Sequence, residues 1–454
     1  TNIDEVAYAK SVGVDVIVTD HHLPIHKEDD GQVVPDAVAV INSKQDVCTY
    51  HDDMLCGCAV AWKLACAVLS KLKDEKSNKG KFGEVVKSVG ALKEGYEKWL
   101  LDLVGISTIS DMVPLVKENR ALAYFGLKVL RQTKRHGLNQ IFRTQGVTKE
   151  HLTEEDIAFT IAPRINAAGR MGDPIQAHNM LYEKDSVKAQ GFVEDIEALN
   201  TERKAGVKDI TDSISFDHAV YANQVIVVGD MSWGPGILGL IAQKIIDETG
   251  KPTFVYGQGE DKTSIKGSCR SKGDVHVVEL MARCMELFPG VITHSGGHEQ
   301  AGGFSCAVER VGELSDALNE AVKHVKIKEL GNEKTVVHAH MKLDDVNTVT
   351  YNAVNALAPF GVGNPKPLFA FTNVEPISVR WFGKKGEHLE VVYPKSKGEP
   401  LFRQGQTGEI KAIIFFATKD LEERAKKKHT LLAHIEKSVF RGKTELRLRI
   451  KEVV

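Results

Sequence analysis

The residues best placed to do chemistry come early in the chain, where Thr19-Asp20-His21-His22 follows the apolar run Val14-Asp15-Val16-Ile17-Val18. Such a run reads as a strand buried on both faces of a parallel sheet, and open α/β sheets bind ligands in the crevice beyond their strands' carboxyl ends. Imidazole beside carboxylate suits Mn²⁺, Fe²⁺ or Zn²⁺, while the absence of a nearby thiolate argues against a structural zinc. A second run, Ile106-Ser107-Thr108-Ile109-Ser110, also reads as a strand and ends in Asp111. His21 and Asp111 on neighbouring strand ends would hold one divalent cation together. Taken singly, the histidines read as satisfied loop residues and Asp111 as a cap. Only their pairing gives them weight.

The elements that must position these groups are those of an α/β chain. Ile3 to Ser11 reads as a helix already under way, so the chain is expected to begin inside a βα-repeating domain that lacks its first strands. Helical patterns follow at Cys58 to Leu72, Tyr96 to Leu103 and Asn119 to Gln132. From Ser186 to Ser215, Phe192, Ile196, Leu199, Val207, Ile210 and Ile214 recur at helical spacing without proline. This predicts one long connector helix. Strands at Gln224 to Val228 and Thr253 to Tyr256 flank a helix at Ile237 to Glu248, giving a second α/β domain. From Val336 the chain becomes strand after strand, which predicts a small β-barrel.

At 454 residues, with 42% hydrophobic and 26% charged, several domains are expected. No run approaches the ~20 apolar residues of a membrane helix, so membrane and secreted readings fall away. Cys48, Cys56, Cys58, Cys66, Cys269, Cys284 and Cys306 are odd in number and form no CxxC pair, which fits a reducing, cytoplasmic setting. The formal charge of −2 hides an asymmetry. Residues 331–454 carry 21 Lys+Arg against 14 Asp+Glu, whereas the remainder carries 38 against 47. A basic appendage on an acidic body suits a polyanion-binding module, and lysine-rich solvated surfaces look the same.

Val16-Ile17-Val18-Thr19-Asp20-His21-His22 resembles the signature of the DHH phosphoesterase superfamily, and the rest resembles its RecJ branch of single-strand-specific 5′-to-3′ DNA exonucleases. Ser110-Asp111-Met112-Val113-Pro114-Leu115 resembles a later acidic motif, and Ala162-Pro163-Arg164-Ile165-Asn166-Ala167-Ala168-Gly169-Arg170 a stretch typical of that branch. Lys266-Gly267-Ser268-Cys269-Arg270-Ser271 and Gly296-Gly297-His298 with Ala301-Gly302-Gly303 look like the associated DHHA1 domain. The resemblance implies a metal-dependent exodeoxyribonuclease that uses two ions, Mn²⁺ or Mg²⁺, to activate water and neutralise the leaving oxygen. Asp20, His21, His22 and Asp111 would be catalytic, with His21 and Asp111 as metal ligands.

Ser268 and Arg270, two apart in a Gly-containing turn, bring a hydroxyl and a guanidinium to one phosphate, and in RecJ-like enzymes such positions hold the 5′ phosphate. His298, behind two glycines, and Arg170 are further phosphate-side candidates. The plainer readings are a glycine-rich turn that packs two elements and a capping arginine. The C-terminal barrel resembles an OB-fold, offering Trp381, Phe382, Tyr393, Phe402, Lys384, Lys385, Arg403 and Lys426-Lys427-Lys428. Most of the aromatics belong to a barrel core, and Lys384 and Lys385 to an exposed turn.

The sequence departs from the family pattern in two ways. An aspartate-rich motif and a further Asp, both expected ahead of the DHH run, do not occur, and Gly234 stands where a histidine is expected. This chain alone is therefore expected to bind metal weakly; truncation, a split protein and a degenerate homologue are the competing explanations, and the intact spacing of the motifs that are present favours the first. The expected organisation is a partial DHH parallel-sheet domain (1–184), a connector helix (185–215), a DHHA1 α/β domain (216–330) and an OB-fold (331–454). The expected protein is a monomer acting on single-stranded DNA in repair and recombination, with single-strand-binding protein and a helicase as natural partners. A DHH phosphodiesterase of short oligonucleotides or cyclic dinucleotides, and a non-catalytic DNA-binding replication scaffold, are the alternatives.

Overall fold

The computed structural model describes residues 2–27, 31–74, 83–214, 222–259, 264–328, 335–383, 385–395, 408–440 and 443–454. The chain divides into two compact units, one formed by Thr1–Val113 with Ala121–Gly331, the other by Pro114–Arg120 with Asn332–Val454. Among the described residues no helix is long and apolar enough to cross a membrane.

In the first unit, α1 (Ile3–Ser11) leads into β1 (Ile17–Thr19). A short antiparallel hairpin, β2 (Ile25–Lys27) and β3 (Gly31–Val33), precedes β4 (Ala39–Ile41). β1 and β4 form a two-stranded parallel sheet with Ile17 opposite Ala39 and Thr19 opposite Ile41. The expected burial of the first strand on both faces is not what the structure has. Val14 is 55% and Ile17 56% exposed, because among the described residues β1 has only β4 as a neighbour. The next helices are α2 (Gly57–Asp74), α3 (Leu101–Ser110) and α4 (Lys117–Leu130). α3 replaces the strand expected at Ile106–Ser110. Leu101, Val104, Ile106, Thr108 and Ile109 are all buried, and a helix buried all round carries the same unbroken apolar signature as a buried strand.

α5 (Ala162–Met171) and the long α6 (Ser186–Ser213) follow. Asp185 caps α6 by accepting hydrogen bonds from the N–H groups of Val187 and Lys188. Its first half buries Val193 and Ile196 against Ile141, Ala168 and Met180. In its second half Val207 and Ile210 pack against Ile237, Leu238 and Ile241. The helix is therefore a spine with a core at each end and is less exposed than its charged sequence suggests.

Beyond it, β5 (Ile226–Gly229), β6 (Thr253–Gln258), β7 (Ser264–Arg270), β8 (His294–His298) and β9 (Ala301–Ala307) form a sheet in the order β5-β6-β7-β9-β8, parallel only at β5–β6. α7 (Pro235–Thr249) packs on the face carrying Ile226 and Val255, and α8 (Val277–Leu287) on the opposite face with Val225, Phe254 and Cys269. Two sequence expectations change here. Ser268 and Arg270 lie within strand β7 rather than in a turn, and Ser295 to Gly303 is an antiparallel hairpin rather than a connecting turn. Glycines at 267, 296, 297, 302 and 303 look like turn punctuation in the sequence. In the sheet Gly267, Gly297 and Gly302 let strands and side chains approach closely. A Cβ at residue 267 would fall 2.0 Å from the Phe304 ring.

The second unit carries β10 (Ala339–His340), β11 (Phe369–Val374), β12 (Ser378–Phe382), β13 (His388–Pro394), β14 (Glu409–Ile414), β15 (His429–Phe440) and β16 (Lys443–Val453). Their order is β10-β11-β15-β16-β14-β13-β12. It is an open order, so the closed barrel expected from the sequence is not formed by pairing among the described residues. Phe371, Leu389, Val391, Tyr393, Leu431 and Leu448 fill its core.

Glu436 is buried in this unit with Lys366, Arg447 and Arg449 around it. Burial alone would raise its pKa, but the charges of Lys366, Arg449 and Arg447 outweigh it and hold the carboxyl below its ordinary 4.5. The stabilisation is thus complete above that value and is lost as pH falls through the lowered one. Glu436→Gln leaves three cations facing one another and is expected to cost about 3 kcal/mol at neutral pH. In chemical unfolding the deficit should shrink as the solution is acidified below about pH 4.

Candidate functional site

The pairing of β1 with β4 extends one residue past the strand, since the Asp20 N–H donates to Ile41 O at 3.0 Å. The chain then turns on the Asp20 carboxylate. Its Oδ1 accepts from the N–H groups of His21 (2.7 Å) and His22 (3.2 Å) and lies 2.6 Å from His22 Nδ1. Partial burial would raise the Asp20 pKa, yet the His22 ring and the two backbone donors hold it well below the usual carboxylate range. Asp20 therefore acts as a fixed anionic anchor that aims the two rings after it.

His21 points the other way. Its Nδ1 is 3.4 Å from Asp111 Oδ2. Asp111 sits at the C-cap of α3, where the helix's negative end adds to its own charge and favours a cation. Burial lowers the His21 pKa, Asp111 opposes this, and His22 and Lys44 reinforce it, leaving it below the ordinary 6.5. The ring is backed by the first residue of α2. A Cβ on Gly57 would come within 3.2 Å of His21 Cδ2.

His22 meets the second half of the unit. Its ring stacks on His298 with centroids 6.1 Å apart and planes 14° from parallel, and the His21 and His22 rings are 4.5 Å apart. Burial lowers the His298 pKa, and Lys44, His22 and His21 lower it further. The structure thus brings Asp20, His21, His22, Asp111 and His298 together.

Ser268 and Arg270, at alternate positions of β7, share a face of the sheet. Arg270 Nη1 donates to Ser268 Oγ (3.1 Å) and to Cys269 O (2.7 Å). α7 presses on them through Gly239, where a Cβ would lie 2.7 Å from Arg270 Nη2. Arg170 donates to Gly236 O at 3.0 Å. Burial lowers the pKa of both arginines, and the Arg170 charge lowers that of Arg270 and of Arg203 as well. Three guanidinium groups gathered this way suit an anion. Arg203 and Lys44 escape the sequence motifs because an isolated basic residue in a helix or loop carries no pattern.

In the second unit Lys385 is exposed in the turn between β12 and β13, while Lys384, Phe402 and Arg403 fall outside the described residues. Tyr393 is fully buried, its hydroxyl 2.8 Å from His429 Nε2, and Trp381 donates to Glu422 at 2.9 Å. Phe416, by contrast, is 79% exposed at a positive φ of 53°. Arg449 lies over the neighbouring Phe415 ring at 5.3 Å, forming an aromatic and cationic surface that the sequence does not single out.

An imidazole beside a carboxylate is a mixed nitrogen and oxygen donor set that suits Mn²⁺ better than Mg²⁺, which takes oxygen ligands. Among the described residues no three His, Cys, Asp or Glu side chains gather to hold a metal. His21 and Asp111 would supply two of the ligands that such an ion needs. Gly57→Val should push the His21 ring from Asp111 and lower Mn²⁺ affinity about tenfold, read by electron paramagnetic resonance. Unchanged affinity would mean the ring has room to spare.

Known proteins resemble this chain over its whole length. Residues 1–86 match the DHH family N-terminal domain, 222–324 the DHHA1 domain and 337–452 the RecJ OB domain. The single-stranded-DNA-specific exonuclease RecJ of Bacillus subtilis is 34% identical over 391 residues, covering 86% of this chain and 45% of the relative. That of Haemophilus influenzae is 28% identical over 458 residues, covering 99% and 75%. The crystal structure of RecJ with Mn²⁺ from Thermus thermophilus superposes with a TM-score of 0.75 at 23% identity, covering 100% of this chain and 60% of that one. A manganese-bound exonuclease RecJ gives 0.52 at 27% identity, covering 71% and 72%. The chain thus spans a little under half of the Bacillus relative.

Proposed function

Because the chain belongs to the RecJ-like branch of the DHH and DHHA1 phosphoesterases, we propose that it serves DNA repair and recombination as a metal-dependent exonuclease, removing 5′-mononucleotides from single-stranded DNA. The observation that carries this reading is the His21–Asp111 pair at 3.4 Å, beside the stacked rings of His22 and His298. The names of the relatives and the Mn²⁺ and Mg²⁺ in the solved RecJ structures support it.

His21 and Asp111 would contribute ligands to a site for Mn²⁺ or Mg²⁺, with two ions when the site is complete. Such ions polarise the phosphodiester and lower the pKa of a bound water. Asp20 fixes the His22 ring, and His22 and His298 line the side where the scissile phosphate would lie. Ser268, Arg270 and Arg170 take the 5′-terminal phosphate, the guanidinium fork matching its oxygens. In this division of labour residues 1–184 cut, 185–215 connect, 216–330 hold the strand's end, and 331–454 track its backbone, with Lys384 and Lys385 on phosphates. The protein would work in the cytoplasm as a monomer, on strands exposed by a helicase or handed over by single-strand-binding protein.

A 5′-labelled single strand incubated with the protein and Mn²⁺ should release labelled mononucleotide, at least ~100-fold more slowly for His21→Ala and for Asp111→Ala. Release that needs no divalent cation, or that His21→Ala leaves untouched, would falsify the reading.

A further inference from the structure

At the opposite end of α3 from Asp111, a cavity of about 440 Å³ is lined by the one-turn helix Tyr96–Trp99, the start of α3 with Asp102, the segment 133–136 and the segment 181–184. Its volume falls among those of small-molecule sites, about 300–1,000 Å³. Asp102 and Asp111 belong to the two ends of one helix, about 14 Å apart along its axis. The cavity is therefore separate from the place where His21 meets Asp111.

Aromatic surface lines it. Trp99 is 49% and Tyr182 67% exposed, and Tyr96 is exposed as well. Large rings left together at the surface mark a place where something stacks. The Tyr182 ring is steadied by His178, which stacks on it with centroids 5.8 Å apart and planes 14° from parallel.

Arg135 supplies a fixed charge. Its Nε donates to Asp102 Oδ2 at 2.9 Å and its Nη1 to Leu181 O at 3.1 Å, whereas Nη2 donates to no acceptor among the described residues. Both carboxylates at the cavity are already engaged. The buried Asp102 also accepts from the Leu103 N–H and the Thr133 hydroxyl, each at 2.8 Å. Glu183 Oε1 accepts the N–H groups of Lys184 at 2.7 Å and Asp185 at 2.8 Å. Lys134 and Lys184 are exposed at the cavity and form no ion pair among the described residues. With Lys134, Arg135 and Lys184 against two committed carboxylates, the cavity favours an anion.

We propose that this cavity binds one nucleotide unit, its base on the Trp99 and Tyr182 rings and its phosphate on the Arg135 Nη2 edge, with Lys134 and Lys184 adding charge. A flat ring and an anion on one ligand answer both features of the lining. Every base has a π-face, so stacking does not choose among them, and a guanidinium edge matches phosphate oxygens. Such a unit comes either as a free mononucleotide or as part of a single strand. Binding here is independent of the nuclease reading, because none of the residues assigned to that reaction takes part.

The test uses the whole chain with a chelator present, so that cleavage does not intervene. A photoreactive azido-adenine deoxynucleotide with a 5′-phosphate is irradiated with the protein, and the adducts are mapped by mass spectrometry. Adducts are expected within residues 96–102 or 181–184, and excess deoxyadenosine monophosphate should prevent them. Deoxyadenosine, which lacks the phosphate, and deoxyribose phosphate, which lacks the base, should compete at least about tenfold less well. Joint Lys134→Gln and Lys184→Gln substitution, and separately Trp99→Ala, should each reduce these adducts about tenfold in protein shown to be folded by circular dichroism. The same azido base placed inside a single strand distinguishes the two sources. Labelling by the strand alone assigns the cavity to a polymer, and labelling by the free nucleotide alone assigns it to a small molecule. No adduct in the cavity from either probe, or adducts that the folded variants leave unchanged, would overturn the proposal.

Discussion

His21 Nδ1 and Asp111 Oδ2 stand 3.4 Å apart although the two residues are far apart in the chain, so the fold has to bring them together. His21 is driven there by the turn on Asp20, whose carboxylate takes two backbone donors and the next ring, and is backed by Gly57. Asp111 is carried in by α3, a helix so apolar that its burial is not in question and whose end delivers negative potential to the same place. α3 comes close to the following helix through two glycines. A Cβ on Gly105 would lie 2.7 Å from Gly126 Cα, so the approach that sets Asp111 depends on the absence of two side chains. The packing around Gly57, Gly105 and Gly126 therefore sets where these two side chains meet.

The candidate groups are legible in the sequence because polar residues at the end of an apolar run are conspicuous. His21, Asp111 and His298 can be named from position, and the motif order points to the family. Their supports are harder to see. Ile106–Ser110 reads equally well as strand or helix, since uniform burial erases the period that distinguishes them. Ser268 and Arg270 read as turn residues because Gly267 beside them usually means a turn. In the sheet that glycine makes room for Phe304. Lys44 and Arg203 carry no signal at all, because what places them is the packing of loops and helices far apart in the chain.

The first sheet is where composition misleads most. Val14-Asp15-Val16-Ile17-Val18 has the composition of a doubly covered strand, yet β1 pairs with β4 alone among the described residues and leaves Ile17 more than half exposed. Apolar content predicts what a strand would gain from being covered and does not supply the cover. The donor set behaves in the same way. His21 and Asp111 have the chemistry of cation ligands, while no third such side chain joins them among the described residues. Both observations concern the same edge of the fold.

The register of the second sheet sets a fixed measure. Arg270 lies opposite Ala301, and Ala301 lies opposite His298, so the arginine and the histidine occupy one row across β7, β9 and β8. Neighbouring strands are about 4.8 Å apart, which puts the two residues roughly 10 Å from one another with their side chains on the same face. Backbone hydrogen bonds lock that interval, and no loop has to move to keep it. An extended ligand touching both residues would meet its two contacts at one fixed interval, with the sheet serving as the ruler.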